Sequence, residues 1–359
     1  MLSYQVESFG RPLARVLRDT PQPTGTEVLV KVSHCGVCHS DLHLQDGYFD
    51  LGGGNRIDMT RPMSLPRTLG HEIAGEVVAM GPEAEAAAAA AGSDGAVRLG
   101  DRRIVYPWIG CGRCGLCSAG QEHLCAAPQA LGSNRDGGFA SHVLVPHPRL
   151  LLACDPVPEA QACTLACSGL TAFSALKKIG TPAAGDAVLV IGAGGVGLSG
   201  IRLAKQLLGV APLVAEVDRA KWDVAREAGA ADVFDPTADG AARTLMKATG
   251  GGVAAAIDFV GAPASFGFGL GALRKGGKLV CVGLFGGSAA VSPALISMKA
   301  LSIAGSYVGS LAELRELLAF ARQGRLPAMP VAARPLAEAS QALDDLRAGR
   351  IKGRAILQP

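Results

Sequence analysis

This sequence contains few aromatic residues, and neither positive nor negative charge is in large excess. Only 4% of its 359 residues are aromatic whereas 49% are hydrophobic, so its cores must consist mainly of aliphatic side chains. Lys and Arg number 34 against 31 Asp and Glu, a near balance that gives no reason to expect nucleic acid or an anionic membrane as a partner. The length is sufficient for two domains of ordinary size, each with its own core.

Long apolar segments are also missing. The N-terminus shows neither the apolar region nor the small-residue cleavage site of a signal peptide. The longest apolar stretch, residues 187–201, is broken by glycines and falls short of the ~18 consecutive apolar residues of a membrane span. We therefore expect a cytoplasmic protein, in which the ten cysteines bind metal more readily than they form disulfides.

Four of those cysteines lie close together within residues 110–125. Cys111, Cys114, Cys117 and Cys125 have the spacing Cys-x2-Cys-x2-Cys-x7-Cys. Four thiolates can complete a tetrahedral shell around one Zn²⁺, which leaves no coordination position for a substrate. The cluster therefore predicts a structural zinc, and any catalytic metal must bind elsewhere.

The first half of the chain has the pattern of a β-rich domain. Residues 26–32 alternate apolar and polar side chains, and residues 71–80 and 101–106 have the pattern of further short strands separated by Gly and Pro. The alanine-rich residues 83–95 could form a short helix, but we interpret residues 84–95 as an exposed loop insertion. This pattern favours a barrel-like N-terminal domain.

The second half alternates strands with helices. Residues 187–191 form a continuous apolar run, as in a parallel strand that is buried on both faces. Further strands are predicted at 213–217, 254–260 and 277–283, with helices at 195–208 and 219–228. This alternation predicts a doubly wound parallel sheet. The segments predicted to complete the chain are helices at 311–324 and 335–349 and a closing strand at 353–359.

A glycine-rich turn directly follows the run at 187–191. The segment from Gly192 to Gly197 fits G-x-G-x-x-G between a predicted strand and a predicted helix, which is the context of a dinucleotide-binding turn. We assign Gly192 to the tight turn, Gly194 to the close approach of a pyrophosphate and Gly197 to helix packing. Together with Gly195, these glycines place the free N–H groups of the helix start where phosphates can bind.

An acidic residue at the end of the next strand is the second part of this pattern. Glu216 lies 19 residues after Gly197 and can accept hydrogen bonds from both ribose hydroxyls of NAD. Together with Asp218 it would repel the 2′-phosphate of NADP, so the sequence favours NAD, and Arg219 weakens that preference slightly. A tight turn beside a solvated acid is the alternative interpretation.

Candidates for a second metal site are spread along the chain. Cys35 and Cys38 form a Cys-x-x-Cys pair, His71 lies in Gly-His-Glu, and Cys167 lies in Ala-Cys-Ser-Gly. Taken singly, the pair could be a redox motif and the histidine an ordinary core residue. Taken together, two sulfurs and one imidazole make a three-ligand zinc site with an open fourth position.

Several motifs occur in the order found in one enzyme family. They are GVCHSDLH, GHE followed by AGEV, the four-cysteine segment, LACSGLTAFSAL, GAGGVG, GSYVGS and IKGRAILQP. Over essentially its whole length the chain resembles the zinc-dependent alcohol dehydrogenases of the medium-chain dehydrogenase/reductase superfamily. YPWIGCGRC, QEHLC and VGLFGG resemble the tetrameric bacterial, archaeal and yeast branch.

The resemblance implies a role for each residue of the metal site. Cys38, His71 and Cys167 would bind the catalytic zinc, and Asp41 would orient His71 through its other ring nitrogen. Glu72 would lie behind the metal and approach it during ligand exchange. The remaining nearby cysteines would not be ligands: Cys35, Cys154 and Cys163.

The resemblance also implies a proton relay and contacts to the cofactor. Ser40 would bridge the bound alcohol and the ribose, and His43 would pass the proton to solvent. The residues expected to contact the cofactor, besides the glycine turn and Glu216, are His39 and Arg354 at the pyrophosphate and Thr171 and Val196 at the nicotinamide.

Fold, activity and assembly follow from the same resemblance. We expect an α/β protein with a GroES-like β-rich catalytic domain, residues 1–168 and 287–359, and a Rossmann NAD-binding domain, residues 169–286. The implied reaction is the reversible oxidation of a primary or secondary alcohol to an aldehyde or ketone, by hydride transfer to NAD from a zinc-stabilised alkoxide. Two zinc ions per chain and a homotetramer, or else a dimer, are expected.

The substrate pocket is predicted by position in the family pattern alone. Tyr48, Phe49, Trp108 and Leu131 are its candidate wall residues, with ordinary core packing as the alternative for each. Ala130 stands where related tetrameric enzymes can carry a large aromatic residue, and it would open the pocket to bulkier or aromatic alcohols.

Three alternative functions remain. The first is another zinc-dependent dehydrogenase or carbonyl reductase on the same scaffold, acting on polyols, formaldehyde or threonine. The second is a zinc-free quinone or enoyl reductase, which the metal ligands disfavour. The third is a catalytically inactive NAD-binding protein.

Overall fold

The computed structural model describes residues 1–90 and 97–359, and its N-terminal part is rich in β-strands, as predicted. The strands of this part are β1 (Leu2–Val6), β2 (Ala14–Leu17), β3 (Val28–Gly36), β4 (Tyr48–Gly52), β5 (Asn55–Asp58), β6 (Arg67–Thr68), β7 (Glu72–Met80), β8 (Arg102–Val105), β9 (His142–Val145) and β10 (Leu151–Ala153). Its helices are α1 (His39–Asp46), α2 (Ala84–Ala90) and α3 (Gly115–Ser118), with short 3₁₀ turns at Glu122–Leu124 and Pro148–Leu150.

Helices and parallel strands alternate in the rest of the chain. The strands are β11 (Val188–Ile191), β12 (Leu213–Ala215), β13 (Asp232–Phe234), β14 (Val253–Asp258), β15 (Leu273–Cys281), β16 (Ser302–Gly305), β17 (Val331–Pro335) and β18 (Arg354–Gln358). The helices are α4 (Glu159–Thr164), α5 (Leu170–Lys177), α6 (Gly195–Leu208), α7 (Trp222–Glu227), α8 (Ala241–Ala248), α9 (Pro263–Ala272), α10 (Pro293–Lys299), α11 (Leu311–Arg322) and α12 (Ala339–Arg347). A π-helical turn, Leu165–Gly169, joins α4 to α5, and 3₁₀ turns at Arg219–Lys221 and Leu336–Glu338 precede α7 and α12.

The parallel strands form a six-stranded sheet in the order β13-β12-β11-β14-β15-β16. Counted from β11, this is the doubly wound order 3-2-1-4-5-6, whose switch point lies between β11 and β14. Val188 and Val190 of β11 belong to one hydrophobic cluster and Leu189 and Ile191 to another, because both faces of the sheet are covered. The predicted sheet is confirmed. It continues through β16, beyond the predicted domain boundary at residue 286, and the division into domains stays a prediction.

The largest N-terminal sheet has seven strands in the order β10-β8-β7-β3-β18-β17, with β9 paired to β3 as well. The closing strand β18 therefore returns to the N-terminal part, where Ile356 and Leu357 pair with Gly36 and Cys35 at the end of β3. This pairing brings the start of β18 close to the predicted metal ligands.

Two segments differ from the sequence-based expectation. Residues 84–90 form helix α2 instead of an exposed loop, with Ala84 and Ala88 buried, because alanine favours helices and its small side chain allows close packing. The remaining residues of that predicted insertion, 91–95, lie outside the described part of the chain. The hairpin of β4 and β5 was not predicted, and its Gly52 packs against the backbone of Gly287 in the loop after β15.

None of the helices in the described part of the chain combines the length and the apolarity that crossing a membrane would need.

Candidate active site

Three side chains with metal-binding atoms meet beside the end of β3. Cys38 lies between β3 and α1, His71 directly precedes β7, and Cys167 lies in the π-helical turn between α4 and α5. All three residues are buried, and their ligand atoms lie within 4.8 Å of one another. A π-helical turn displaces side chains from their α-helical positions, and such turns are frequent at functional sites. The structure thus brings together the three predicted ligands of the catalytic zinc.

Asp41 holds His71 in a fixed orientation. Its buried carboxylate lies 3.3 Å from Nδ1 of His71 and accepts hydrogen bonds from the backbone N–H groups of Cys38 and Gly70. The other ring nitrogen, Nε2, is buried and makes no hydrogen bond to any residue that the structure describes. A buried polar atom without a partner is unfavourable, and a zinc ion bound by Nε2 would satisfy it. A hydrogen bond from Cys167 lowers the pKa of Cys38 well below its ordinary value and so favours the thiolate that binds zinc.

A buried ion pair lies next to these ligands. One carboxylate oxygen of Glu72 lies 2.5 Å from the guanidinium of Arg354, and the other accepts a hydrogen bond from the backbone N–H of Ser168. Burial raises the pKa of Glu72, and Arg354 opposes that shift. Glycine is required at position 36, because a Cβ on Gly36 would lie 1.9 Å from the Glu72 carboxylate.

Aromatic rings border the ligands on another side. The ring of Trp108 lies 5.2 Å from that of His71, and its indole N–H donates to the carbonyl of Ala166 over 3.0 Å. Tyr307 packs edge-on against Trp108 at 6.2 Å and is 51% exposed. These rings form an apolar wall from the metal ligands to solvent. Trp108 is therefore adjacent to the site as predicted, and Tyr307 is a wall residue that the sequence interpretation did not single out.

Helix α1 carries three further predicted residues. His39 is exposed at its start, with its ring 5.8 Å from Phe285, and Ser40 beside it is half-buried. One turn later, half-buried His43 lies with its ring 4.7 Å from Phe49 of β4. Burial lowers the pKa of His43 below its ordinary value, although the nearby acids Asp46 and Cys38 oppose the shift. Phe49 thus contacts the predicted proton-relay histidine.

The three remaining candidate wall residues are Tyr48, Ala130 and Leu131, and the backbone N–H of Leu131 donates to the carbonyl of Pro107, next to Trp108. Arg56 stacks over the ring of Tyr48 at 4.0 Å within the β4–β5 hairpin. Ala130 and Leu131 are buried in the hydrophobic core.

The glycine turn has the geometry that the fingerprint predicts. Gly192 has a φ of +89°, a backbone conformation that favours glycine, and a Cβ on Gly197 would lie 1.9 Å from the Gly192 carbonyl oxygen. A Cβ on Gly194 would meet no atom within 4 Å, so the backbone there is open to an approaching pyrophosphate. At Gly195, a Cβ would lie 2.6 Å from Cδ of Arg354, so the stem of Arg354 packs against the start of α6. The guanidinium of the same residue pairs with Glu72.

The predicted ribose-binding acid faces this turn. Glu216 accepts hydrogen bonds from the backbone N–H groups of Ala193 over 2.6 Å and of Asp218 over 2.8 Å. Thr171 is buried in the first turn of α5, and Val196 is half-buried in the first turn of α6. Glu216 and the glycine turn thus lie together at the end of β11, at the switch point of the sheet.

The four cysteines of the second cluster also meet. The sulfur atoms of Cys114 lie 3.5 Å from Cys117 and 3.8 Å from Cys125, and those of Cys111 and Cys117 are 4.0 Å apart. Tetrahedral zinc with Zn–S bonds of ~2.3 Å requires sulfur separations of about 3.8 Å, whereas a disulfide requires about 2.05 Å. Hydrogen bonds from the backbone lower the pKa of Cys111 to about 6. The separations fit a four-sulfur zinc site.

Comparison with known proteins agrees with this geometry. An alcohol dehydrogenase GroES-like domain matches residues 24–155, and a zinc-binding dehydrogenase domain matches residues 195–323. The chain is 34% identical over 365 residues to an NAD-dependent alcohol dehydrogenase of Saccharolobus solfataricus and 33% identical over 360 residues to one of Sulfurisphaera tokodaii, with 100% of each chain covered. The chain belongs to the zinc-dependent alcohol dehydrogenase family. The crystal structure of the alcohol dehydrogenase from Aeropyrum pernix superposes on it with a TM-score of 0.86 at 30% identity, covering 100% of both chains.

Family membership confirms the predicted fold, a GroES-like part and a Rossmann sheet, and the predicted cofactors, zinc and NAD. Within this alcohol dehydrogenase scaffold, sequence reasoning missed Tyr307, Phe285 and the Glu72–Arg354 ion pair. Tyr307 lies in GSYVGS, a motif that supported the resemblance, so its nearness to the site could have been suspected from the sequence. The ion pair joins residues of β7 and β18, which are far apart in the sequence, so no local sequence pattern predicts it.

Proposed function

We propose that the protein oxidises a primary or secondary alcohol reversibly to an aldehyde or ketone, with Cys38, His71 and Cys167 holding the catalytic zinc. The observation that carries this proposal is the buried three-ligand cluster, in which Nε2 of His71 has no partner. Two sulfurs and one nitrogen leave a fourth position for the substrate. Asp41 is the positioning residue that fixes the imidazole.

When bound, zinc supplies Lewis-acid polarisation of the substrate oxygen, and NAD accepts the hydride. Because the hydride leaves from the alkoxide, the protein must first remove the hydroxyl proton. Ser40 and His43 lie on one short helix that begins directly after Cys38, which supports a path for that proton from the substrate to solvent. The lowered pKa of His43 keeps its imidazole neutral, and so able to accept a proton, at neutral pH.

Glu72 holds Arg354 next to the metal ligands instead of leaving its guanidinium free for the pyrophosphate. We propose that Arg354 pairs with Glu72 and also contacts the pyrophosphate once NAD is bound, since its aliphatic stem packs on the start of α6 at Gly195. His39, exposed at the start of α1, is the second proposed pyrophosphate contact.

Further cofactor contacts are proposed around the glycine turn. Gly192, Gly194 and Gly197 would hold the pyrophosphate, and Glu216 would bind the ribose hydroxyls in exchange for its present hydrogen bond to the turn. A carboxylate at this position disfavours a 2′-phosphate, which supports NAD over NADP. The residues proposed at the nicotinamide are Thr171 and Val196.

The substrate class is proposed from the wall beside the metal ligands. Trp108, Tyr307 and Phe49 supply aromatic surface there, which suits alcohols with an apolar body. We extend this to benzyl- and cinnamyl-type alcohols, for which Ala130 would leave room. Polyols and hydroxy amino acids are the contrasting substrates, because they would bring unpaired hydroxyl or charged groups against these rings.

A structural zinc at Cys111, Cys114, Cys117 and Cys125 completes the proposed metal content of two ions per chain. Sulfur separations of 3.5 to 4.0 Å support it. We also propose the division into a catalytic domain, residues 1–168 and 287–359, and an NAD-binding domain, residues 169–286, and a cytoplasmic location.

Assembly into a homotetramer, or a dimer, is proposed on the edge of the parallel sheet. β16 is its last strand, and no other described strand pairs with its outer side. Ile303 and Met298 of α10 expose apolar surface nearby, Met298 to 78%. An exposed edge with apolar side chains favours pairing with another copy.

The decisive experiment is NADH formation by the zinc-loaded protein with a panel of ethanol, benzyl alcohol, cinnamyl alcohol, sorbitol and threonine. We expect turnover with the alcohols, highest for the aromatic ones, and little with the last two. Turnover confined to sorbitol or threonine would move the protein to a sibling activity, and absence of turnover with measurable NADH binding would indicate an inactive NAD-binding protein.

A further inference from the structure

A separate cavity lies behind the segment that carries Cys167. Its volume is about 300 Å³, and it is enclosed by the end of α4 with the π-helical turn, by α6, and by the end of α11 with the residues that follow. The walls are mostly apolar, with Pro158, Leu165 and Pro327 among them. Pro158 and Pro327 are exposed, so the cavity opens to solvent at that rim.

One guanidinium group in this cavity has no partner. Arg202 of α6 lines the cavity and is only 7% exposed, and its buried Nε makes no hydrogen bond. Within residues 1–90 and 97–359, we find no ion pair, hydrogen bond or aromatic ring that satisfies it. Burial alone lowers the pKa of Arg202, to about 10, so the group stays positively charged at neutral pH.

The other buried arginines of the described chain show how unusual this is. Arg103 lies 2.6 Å from Asp101, and Arg354 lies 2.5 Å from Glu72. Both charges are therefore compensated, as buried charges normally are. Arg202 is the exception among them, which indicates that its compensating charge comes from outside the described chain.

The described lining of the cavity holds no acidic side chain that could pair with Arg202. Arg322 of α11 lines the cavity too, with its guanidinium donating to the carbonyl of Ala153. The buried charge of Arg202 in these mostly apolar surroundings attracts an anion, because apolar walls screen the attraction less than bulk water does.

We propose that this cavity binds a small organic anion, whose carboxylate pairs with Arg202 and whose apolar part contacts Leu165 and Pro327. The apolar walls favour a short carboxylic acid over inorganic anions, which would lose hydration without gaining apolar contact. A volume of about 300 Å³ is at the lower end of ordinary ligand pockets. The lining contains neither a proposed zinc ligand nor a proposed NAD contact, so this site is distinct from the proposed active site.

The test measures thermal unfolding and calorimetric binding of butyrate and benzoate to the full-length, zinc-loaded protein, with chloride at equal ionic strength as the salt control. In the wild-type protein we expect both carboxylates to raise the melting temperature and chloride to leave it unchanged. Arg202→Met should lower their affinity at least tenfold. Without carboxylate the variant should melt no lower than the wild type, because an uncompensated buried charge has been removed.

Arg243→Met is the matched control, since Arg243 lies exposed on α8 and its loss removes the same charge from the surface. This variant should bind the carboxylates like the wild type. Equal stabilisation of Arg202→Met and wild type would overturn the proposal, because the carboxylates would then bind elsewhere, for example at the catalytic zinc. The proposal would also be overturned if neither carboxylate had any effect on the wild type. If light scattering then showed that Arg202→Met changes the molar mass, the partner of Arg202 would be a carboxylate from a second copy of the chain.

Discussion

The two cysteine clusters use the same ligand chemistry in opposite settings. Cys38 and Cys167 come from distant parts of the chain and meet His71 in the interior, whereas the four cysteines of the lobe, 111–125, fall within one short stretch. Of the four cysteines in the lobe, Cys117 and Cys125 are buried, each 8% exposed, whereas Cys111 and Cys114 are partly exposed. Among the described residues the interior cluster has three ligands, whereas the lobe supplies four.

This difference separates what each metal can do. Ligands from three separate elements come together only after the fold has formed, so zinc at the interior cluster uses a site that the fold has already built. Ligands within one loop that has little secondary structure have no other scaffold, so zinc there would itself hold the loop together. We therefore expect removal of the first metal to affect catalysis and removal of the second to affect stability.

The largest expected effect is on the interior cluster. Cys38→Ser removes one of its two sulfurs and should abolish turnover, because the remaining ligands cannot hold zinc with an open position. Binding of NADH, measured by fluorescence titration, should survive, since the glycine turn is untouched. Metal analysis should show the loss of one zinc per chain.

Cys35→Ser is the control for this change. Cys35 is buried three residues earlier on β3, and the substitution is chemically identical. This variant should keep its zinc content and turnover. Normal turnover in zinc-depleted Cys38→Ser, or equal losses in both variants, would remove the distinction between ligand and bystander.

The lobe should respond in the opposite way. Cys111→Ser should also lose one zinc per chain, but the folded fraction should keep its turnover number while the melting temperature falls by several degrees. Metal analysis, calorimetry and initial rates on the same preparation check this. If turnover were lost at a temperature where the variant is fully folded, the lobe would not be a purely structural site.

The two clusters also differ in how far the sequence predicts them. The lobe and the glycine turn each consist of residues that are close together in the sequence. Helix α6 has the predicted bounds, 195–208, because a glycine lies at each of its ends. Gly194 is extended and Gly209 is left-handed with a φ of +70°, which are local signals. Such features need no knowledge of the rest of the fold.

Features that depend on distant contacts escaped prediction. The Glu72–Arg354 pair joins residues from β7 and β18, and the β4–β5 hairpin packs on Gly287 from the loop after β15. The residue types suggested a site of two sulfurs and one imidazole, and the family resemblance then assigned Cys38 to it instead of Cys35. The π-helical turn at Cys167 had no sequence signal, because its apolar residues equally suit an ordinary helix.

A smaller effect should come from the residue that orients the interior histidine. Asp41→Asn keeps the shape but removes the charge that accepts from Nδ1 of His71, so zinc affinity at this cluster should fall about 10- to 100-fold. Competition with a zinc chelator measures it. Asp46→Asn is the control, since Asp46 lies on the same helix and pairs with Arg347 at the surface. An unchanged zinc affinity with reduced stability would give Asp41 a role in folding only.

The smallest expected effect is a change in the pH dependence of alcohol oxidation at the interior cluster, where His43 is the proposed proton acceptor. His43 can accept the substrate proton only while neutral, and burial lowers its pKa below ~6.5, so wild-type alcohol oxidation should lose rate only below that pH. His43→Gln removes the acceptor and should slow oxidation most at low pH, where hydroxide and buffer bases are scarce. The loss should stay below the about 10²-fold typical of a direct general base, because water can replace a relay to solvent.

His34→Gln is the control, since burial also lowers the pKa of His34 but this residue lies on β3 beside Gln358. A pH–rate profile that His43→Gln leaves unchanged would exclude His43 from the proton path and leave Ser40 and water to carry the proton.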